Sequence, residues 1–193
     1  YQAVYFRDRA GHEGYYTPDG RSLRKAFLRS PLEFSRITSG FSLARFHPVL
    51  QTWRAHKGVD YAAPAGTPVR AVADGKVAFA GRQGGYGNLI VLQHQGNIST
   101  AYGHLSGFAK GIRQGVRVSQ GQTIGYVGAT GLATGPHLHY EFRVAGVQRN
   151  PLTVPMPQAL PIAAQYREEF RRAAAPLMAR LAMVRGLNLA SID

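Results

Sequence analysis

The chain contains no cysteine, which removes disulfides, thiol nucleophiles and cysteine-ligated metal sites from the chemistries open to it. No apolar run approaches the roughly 18 to 20 residues of a membrane-spanning helix. Acidic side chains are scarce: 10 Asp and Glu stand against 23 Lys and Arg, a formal net charge of +13. A field of that sign attracts polyanions such as nucleic acid or an anionic cell envelope. The basic residues are mostly spread singly, as at Arg70, Arg113 and Arg117, and no recognition helix or stacking platform accompanies them. No specific nucleic-acid partner is therefore expected. A His-Glu-x-x-His helix is also missing, so the helical zinc-peptidase arrangement does not apply.

What the chain has is 45% hydrophobic residues in 193, enough for a core without staples. It begins at Tyr1 in a strand-like run through Phe6 and reads as a processed or trimmed piece of a longer protein. Residues 1–38 form an N-terminal extension containing a Pro18-Asp19-Gly20 turn and an expected short helix over Ser22–Leu28. Residues 39–151 alternate short Val, Ile, Leu, Tyr and Phe runs with Gly-containing turns, which predicts a mainly β, antiparallel domain. The expected strands are Val69–Ala73, Lys76–Ala80, Leu89–His94, Thr100–His104, Thr123–Val127 and Leu138–Val144. A Pro-rich linker over 152–161 precedes a C-terminal amphipathic helix and tail, 162–193, in which Tyr166, Phe170, Leu177, Leu181 and Val184 recur at helical spacing. Pro176 is expected to kink or split that helix.

The run Gly135-Pro-His-Leu-His-Tyr-Glu-Phe142 carries the most chemistry. Histidines two apart share one face of a strand, leaving Leu138, Tyr140 and Phe142 on the other. Upstream, His56-Lys-Gly-Val-Asp60 supplies a nitrogen and an oxygen donor on one face of an extended segment. Together with His139 these make two imidazoles and one carboxylate, a donor set that leaves a fourth tetrahedral position open, as catalytic zinc sites do. His104 ends a predicted strand, whereas His94 and His47 read as structural or surface residues. Glu141 shares the histidine face and reads as a supporting residue. Gly81–Gly87 reads as a hairpin turn beside the groove, with Tyr86 and Asn88 as candidate substrate-binding residues.

In this order, His56-x-x-x-Asp60, Tyr102-Gly-His104-Leu and His137-Leu-His139 resemble the three signatures of the M23 metallopeptidases, the LytM or lysostaphin-type domains. The resemblance covers about Ser39 to Pro151, and residues 23–36 resemble the segment preceding the catalytic domain in Gram-negative periplasmic members. It implies Zn2+ held by His56, Asp60 and His139, with His137 as general base and His104 stabilising the oxyanion. It further implies hydrolysis of peptidoglycan cross-links, at D-alanyl–meso-diaminopimelate bonds, in the periplasm or envelope of a Gram-negative cell. Peptidoglycan is then the partner, with an adaptor or an upstream regulatory region as a further candidate. The alternative is a non-catalytic cell-wall binding module or amidase activator of the same fold.

Overall fold

The structure, a computed structural model, describes residues 2–47, 52–157 and 159–189. Among the described residues fourteen strands and one long helix are formed. They begin with β1 (Val4–Arg7), β2 (Glu13–Tyr16), β3 (Arg36–Ser39), β4 (Ser42–His47), β5 (Thr52–His56), β6 (Val59–Ala62) and β7 (Pro68–Arg70). The chain continues through β8 (Gly75–Gln83), β9 (Gly87–Gln93), β10 (Ile98–Phe108), β11 (Arg117–Val118), β12 (Thr123–Val127), β13 (His137–Val144) and β14 (Val147–Arg149) to helix α1 (Arg167–Leu189). They divide into two compact units, residues 1–26 with 156–193, and residues 27–155.

In the first unit, β1 and β2 pair as an antiparallel hairpin, Tyr5 opposite Tyr15. Alternation turns Val4 and Phe6 inward, where they pack with Ile162, Phe170 and Ala174. Phe170 meets Phe6 edge-on, ring centroids 5.4 Å apart. The two chain ends that sequence reading treats as separate flanks thus share one small core. Beyond the first two turns of α1, Leu177, Leu181 and Val184 are all exposed despite their helical spacing. Pro176 lies inside an uninterrupted 23-residue helix, so the expected split does not occur. A proline removes one backbone donor, and the bonds of the turns on either side carry the helix across it. The short helix expected at Ser22–Leu28 is also not formed. Ser22 bridges instead to Tyr16, and Leu28 donates its N–H to the Val72 carbonyl at 2.8 Å.

The second unit holds a ten-stranded sheet, in the order β11-β8-β9-β10-β13-β6-β3, with β12 bridging β10 and β7 and β14 flanking β13, and a separate antiparallel hairpin of β4 and β5. All its pairings are antiparallel. The core lies under β13 and its neighbours, where Val59, Ile90, Leu92, Tyr102, Leu105 and Leu138 are fully buried. Burying the side chain of each such aliphatic contributes about 1.5–3 kcal/mol, which pins the register of the central strands. β10 runs four residues past the expected end at His104, because a bulge after Tyr102 lets pairing resume at Leu105. The side chain of His47, together with Tyr1 and the tail residues 190–193, lies outside the described residues.

Candidate active site

Antiparallel pairing of β13 with β6 sets His139 directly opposite Asp60. Alternation along β13 buries Leu138, Tyr140 and Phe142 in the core and turns His137, His139 and Glu141 to the other face. His56 closes β5, and Gly58 brings the following turn hard against β13. A Cβ on Gly58 would stand 2.5 Å from the His139 ring and 2.8 Å from the Tyr140 carbonyl.

Three donor atoms meet as a result. His56 Nε2 lies 3.0 Å from Asp60 Oδ1 and 3.2 Å from His139 Nδ1, and His139 Nδ1 lies 2.9 Å from Asp60 Oδ1. A tetrahedral ion with ligands at about 2.0–2.1 Å has donors spaced by about 3.3 Å, close to these edges. All three residues are buried.

The outer partners decide where the ring protons sit. His56 Nδ1 is 2.8 Å from the Gly40 carbonyl, which can only accept, so Nδ1 carries the proton and Nε2 turns its lone pair inward. His139 Nε2 donates to Glu141 Oε1 at 3.1 Å, leaving the Nδ1 lone pair inward. With both rings neutral, two imidazole lone pairs and a carboxylate oxygen converge on one point. Such a cluster needs a cation, and oxygen and imidazole donors suit zinc. His56, Asp60 and His139 are accordingly the metal-binding candidates.

Electrostatics agree with this reading. Burial pushes the Asp60 carboxyl up, but its contacts with His139 and His56 outweigh that and hold it well below the usual carboxylate range. Burial alone would lower His139, yet Asp60 and Glu141 on either side lift it to about 9, the same demand for positive charge. Glu141 is itself held down to about 2, despite burial, by His139, Arg143 and Tyr86. Arg143 grips its Oε2 through Nε at 2.7 Å and a terminal nitrogen at 2.6 Å, and Tyr86 donates its hydroxyl to Oε1 at 2.8 Å.

His104 and His137 complete the group, with ring centroids 4.7 Å apart. His104 stands at the β10 bulge with φ +59°, a left-handed conformation that non-glycine residues rarely adopt and that aims its ring across to β13. Its Nδ1 donates to the Thr130 carbonyl at 2.7 Å, and His137 Nδ1 donates to the Gly135 carbonyl at 2.9 Å. Both rings therefore keep Nε2 free of backbone partners. Burial pushes His104 down to about 4, so its resting form is neutral. Both rings and the three donors line one cavity of about 800 Å³.

Of the remaining candidates, Tyr86 lines that cavity from the Gly84–Tyr86 turn, but its hydroxyl is already given to Glu141. Asn88 is spent on the backbone, its side-chain amide donating to the Leu105 and Ser106 carbonyls. His94 is buried in the core, bridging the Asp74 carbonyl and Thr100. Sequence reading missed the Glu141–Arg143–Tyr86 arrangement. The period of two that places Glu141 beside His139 also places Arg143 beside Glu141, so part of it was there to be read.

A buried His/Asp/His donor set beside two further imidazoles, on an antiparallel sheet, defines a metallopeptidase-type site. Residues 54–151 match the model of peptidase family M23. The chain is 47% identical over 156 residues to peptidoglycan DD-endopeptidase ShyC of Vibrio cholerae, covering 81% of this chain and 36% of that protein. It is 52% identical over 141 residues to the DD-carboxypeptidase/endopeptidase Mpg of Neisseria meningitidis, covering 72% and 32%. A zinc-containing peptidase from Vibrio cholerae superposes with TM-score 0.65 at 36% identity, covering 80% of this chain and 47% of that one. The lysostaphin catalytic domain of Staphylococcus simulans gives 0.54 at 31%, covering 61% and 90%. This chain belongs to peptidase family M23. It spans about a third of the length of the curated relatives it matches.

Proposed function

We propose that the chain is a zinc-dependent endopeptidase hydrolysing peptide cross-links of peptidoglycan, at D-alanyl–meso-diaminopimelate bonds, in the envelope of a Gram-negative cell. The observation that carries this is the convergence of three lone-pair donors at 2.9–3.2 Å, with their ring protons turned outward onto Gly40 and Glu141. The similar proteins named as peptidoglycan DD-endopeptidases supply the substrate class. The catalytic domain is taken as residues 39–151, flanked by the 1–38 extension, the 152–161 linker and the 162–193 helix and tail.

His56 Nε2, Asp60 Oδ1 and His139 Nδ1 would hold zinc, which polarises a scissile carbonyl and acidifies the attacking water when bound. His137 Nε2, which has no backbone partner because Nδ1 is tied to Gly135 and which lies 3.9 Å from Asp60 Oδ1, takes the proton of that water and returns it to the leaving amine. His104 faces the same space from β10. It is placed to stabilise the oxyanion, where negative charge develops. Glu141 holds the His139 ring in its working tautomer, with Arg143 and Tyr86 holding Glu141.

The test is incubation of the zinc-loaded chain with peptidoglycan sacculi, with and without chelator, and mass identification of the released muropeptides. The reading expects cleaved stem–stem cross-links that disappear with chelator and return with zinc. Zinc binding without any cleaved bond would leave the non-catalytic binding module in its place.

A further inference from the structure

Strand β10 changes partner at His104. Up to Gly103 it pairs with β13, where the register ends opposite His139, and from Leu105 it pairs with β12, opposite Val127. On its other edge the ladder with β9 breaks between Tyr102 and Leu105. His104 thus sits where neither ladder registers it, with its backbone left-handed at φ +59°. A non-glycine residue keeps that conformation only where its surroundings over-determine it. Two side chains from other elements do so here. The Leu105 carbonyl accepts from Thr130 Oγ1 at 2.8 Å and from Asn88 Nδ2 at 3.0 Å, and Asn88 Nδ2 also reaches the Ser106 carbonyl at 3.4 Å. Thr130 Oγ1 in turn accepts the Asn88 backbone N–H at 2.9 Å. The Thr130 carbonyl accepts His104 Nδ1 at 2.7 Å, so one residue holds both the ring and the backbone that follows it. Thr130 is itself closely confined, since a Cβ on Gly87 would collide with its carbonyl and hydroxyl. Neither Thr130 nor Asn88 lines the cavity.

We propose that Thr130 and Asn88 are positioning residues for His104, fixing the bulge so that the ring is presented to the carbonyl under attack. This rests on the peptidase reading above and on the part it gives His104. The Thr130 hydroxyl is the centre of the arrangement, because it donates to the strand that carries His104 and accepts from the strand beside it. A methyl group in its place keeps the shape and removes both bonds. The Leu105 carbonyl then loses a donor, the Asn88 N–H loses its acceptor, and the His104 backbone can relax toward an ordinary conformation that turns the ring away from β13. His56, Asp60 and His139 stand on β5, β6 and β13, and their mutual contacts use none of these bonds. Asn88, which sequence reading offered as a substrate contact, acts on substrate only through His104.

The test measures kcat and KM of the zinc-loaded full chain on a soluble cross-linked muropeptide dimer, and rates on sacculi in parallel. Zinc content and long-range proton–nitrogen NMR spectra of the imidazoles are read on the same samples. Thr130→Val should keep its zinc and change KM by less than about twofold while kcat falls by about 10–100-fold, the scale of an ångström-sized misplacement. Thr130→Ser should stay within about threefold of the wild type, and Asn88→Ala should fall between the two. In a His104→Ala background Thr130→Val should slow cleavage by no more than about twofold, because a residue acting through His104 has nothing left to position. The His104 ring should give the Nδ1–H tautomer in the wild type and in Thr130→Ser, and an averaged signal in Thr130→Val. If Thr130→Val does not fold, Asn88→Ala read in the same two backgrounds and by the same spectra decides. An undiminished kcat, a loss of equal size in the His104→Ala background, or an unchanged His104 signal would each overturn the positioning role and leave the peptidase standing. A wild type that cuts neither the dimer nor sacculi would overturn both.

Discussion

The two halves of the site share a cavity but are held in different ways. The donor atoms of His56, Asp60 and His139 lie 2.9–3.2 Å from one another, and the two imidazoles are each backed by an outer acceptor, Gly40 or Glu141. His104 and His137 face each other across 4.7 Å, each anchored by a single bond to a backbone carbonyl, with Nε2 left open. The first half is built so that no donor can turn away, which is what holding an ion requires. The second leaves one atom of each ring able to gain and lose a proton, which is what moving protons requires. Sequence spacing alone presents His137 and His139 as a matched pair on one strand face. Their partners make them unlike.

Removing a donor should have the largest effect. Asp60→Ala is expected to lose most bound zinc, to below about a tenth of stoichiometric, along with detectable cleavage of sacculi. Metal content by mass spectrometry checks it, and full zinc with full activity would break the distinction from the other side of the cavity. His137→Ala should keep its zinc while turnover falls by about 10²–10⁴-fold, the usual worth of a positioned base. His104→Ala, measured in the same assay, shows whether the two Nε2 atoms share the work. A zinc-free His137→Ala protein would mean that ligand and base have been exchanged. Glu141→Gln should weaken zinc binding by about 10–100-fold without abolishing it, because the outer acceptor of His139 is altered and not the ligand itself. Chelator competition reads this, and an unchanged affinity would make the Glu141–Arg143 pair purely architectural.

The smallest expected effect lies outside the site. Burial depresses His94, whose Nδ1 donates to the Asp74 carbonyl and whose Nε2 accepts from Thr100 in a chain continuing to Tyr102. Its folded-state pKa is lowered, so the unfolded chain takes up the proton first. The associated stability is present above the unfolded value of about 6.5 and is lost as pH falls below it. Thermal midpoints of the zinc-loaded protein from pH 7 to 5 should therefore fall less steeply in His94→Asn than in the wild type. Parallel curves would remove His94 from the account.

Much of this was legible in order and spacing. The alternation of β13 foretold which of its residues enter the core, and Thr123–Val127 forms as the pattern predicts. His104 illustrates what was not legible. A strand ending there was a reasonable expectation, but its ring reaches the site because a bulge continues the strand and a left-handed residue turns the side chain. That geometry comes from cross-strand pairing, which no local pattern reports. The Gly40 and Thr130 carbonyls that set the tautomers are backbone groups and carry no sequence signal at all. In α1, apolar spacing promised a buried stripe, yet among its described side chains only Phe170 and Ala174 are buried, because spacing describes a face and not what covers it.

Crystallography of the zinc-loaded chain at the zinc absorption edge tests the central claim most directly. The account predicts one ion within about 2.0–2.2 Å of His56 Nε2, an Asp60 carboxylate oxygen and His139 Nδ1, with His137 and His104 uncoordinated. An ion on His137, or on His139 through Nε2, would contradict it.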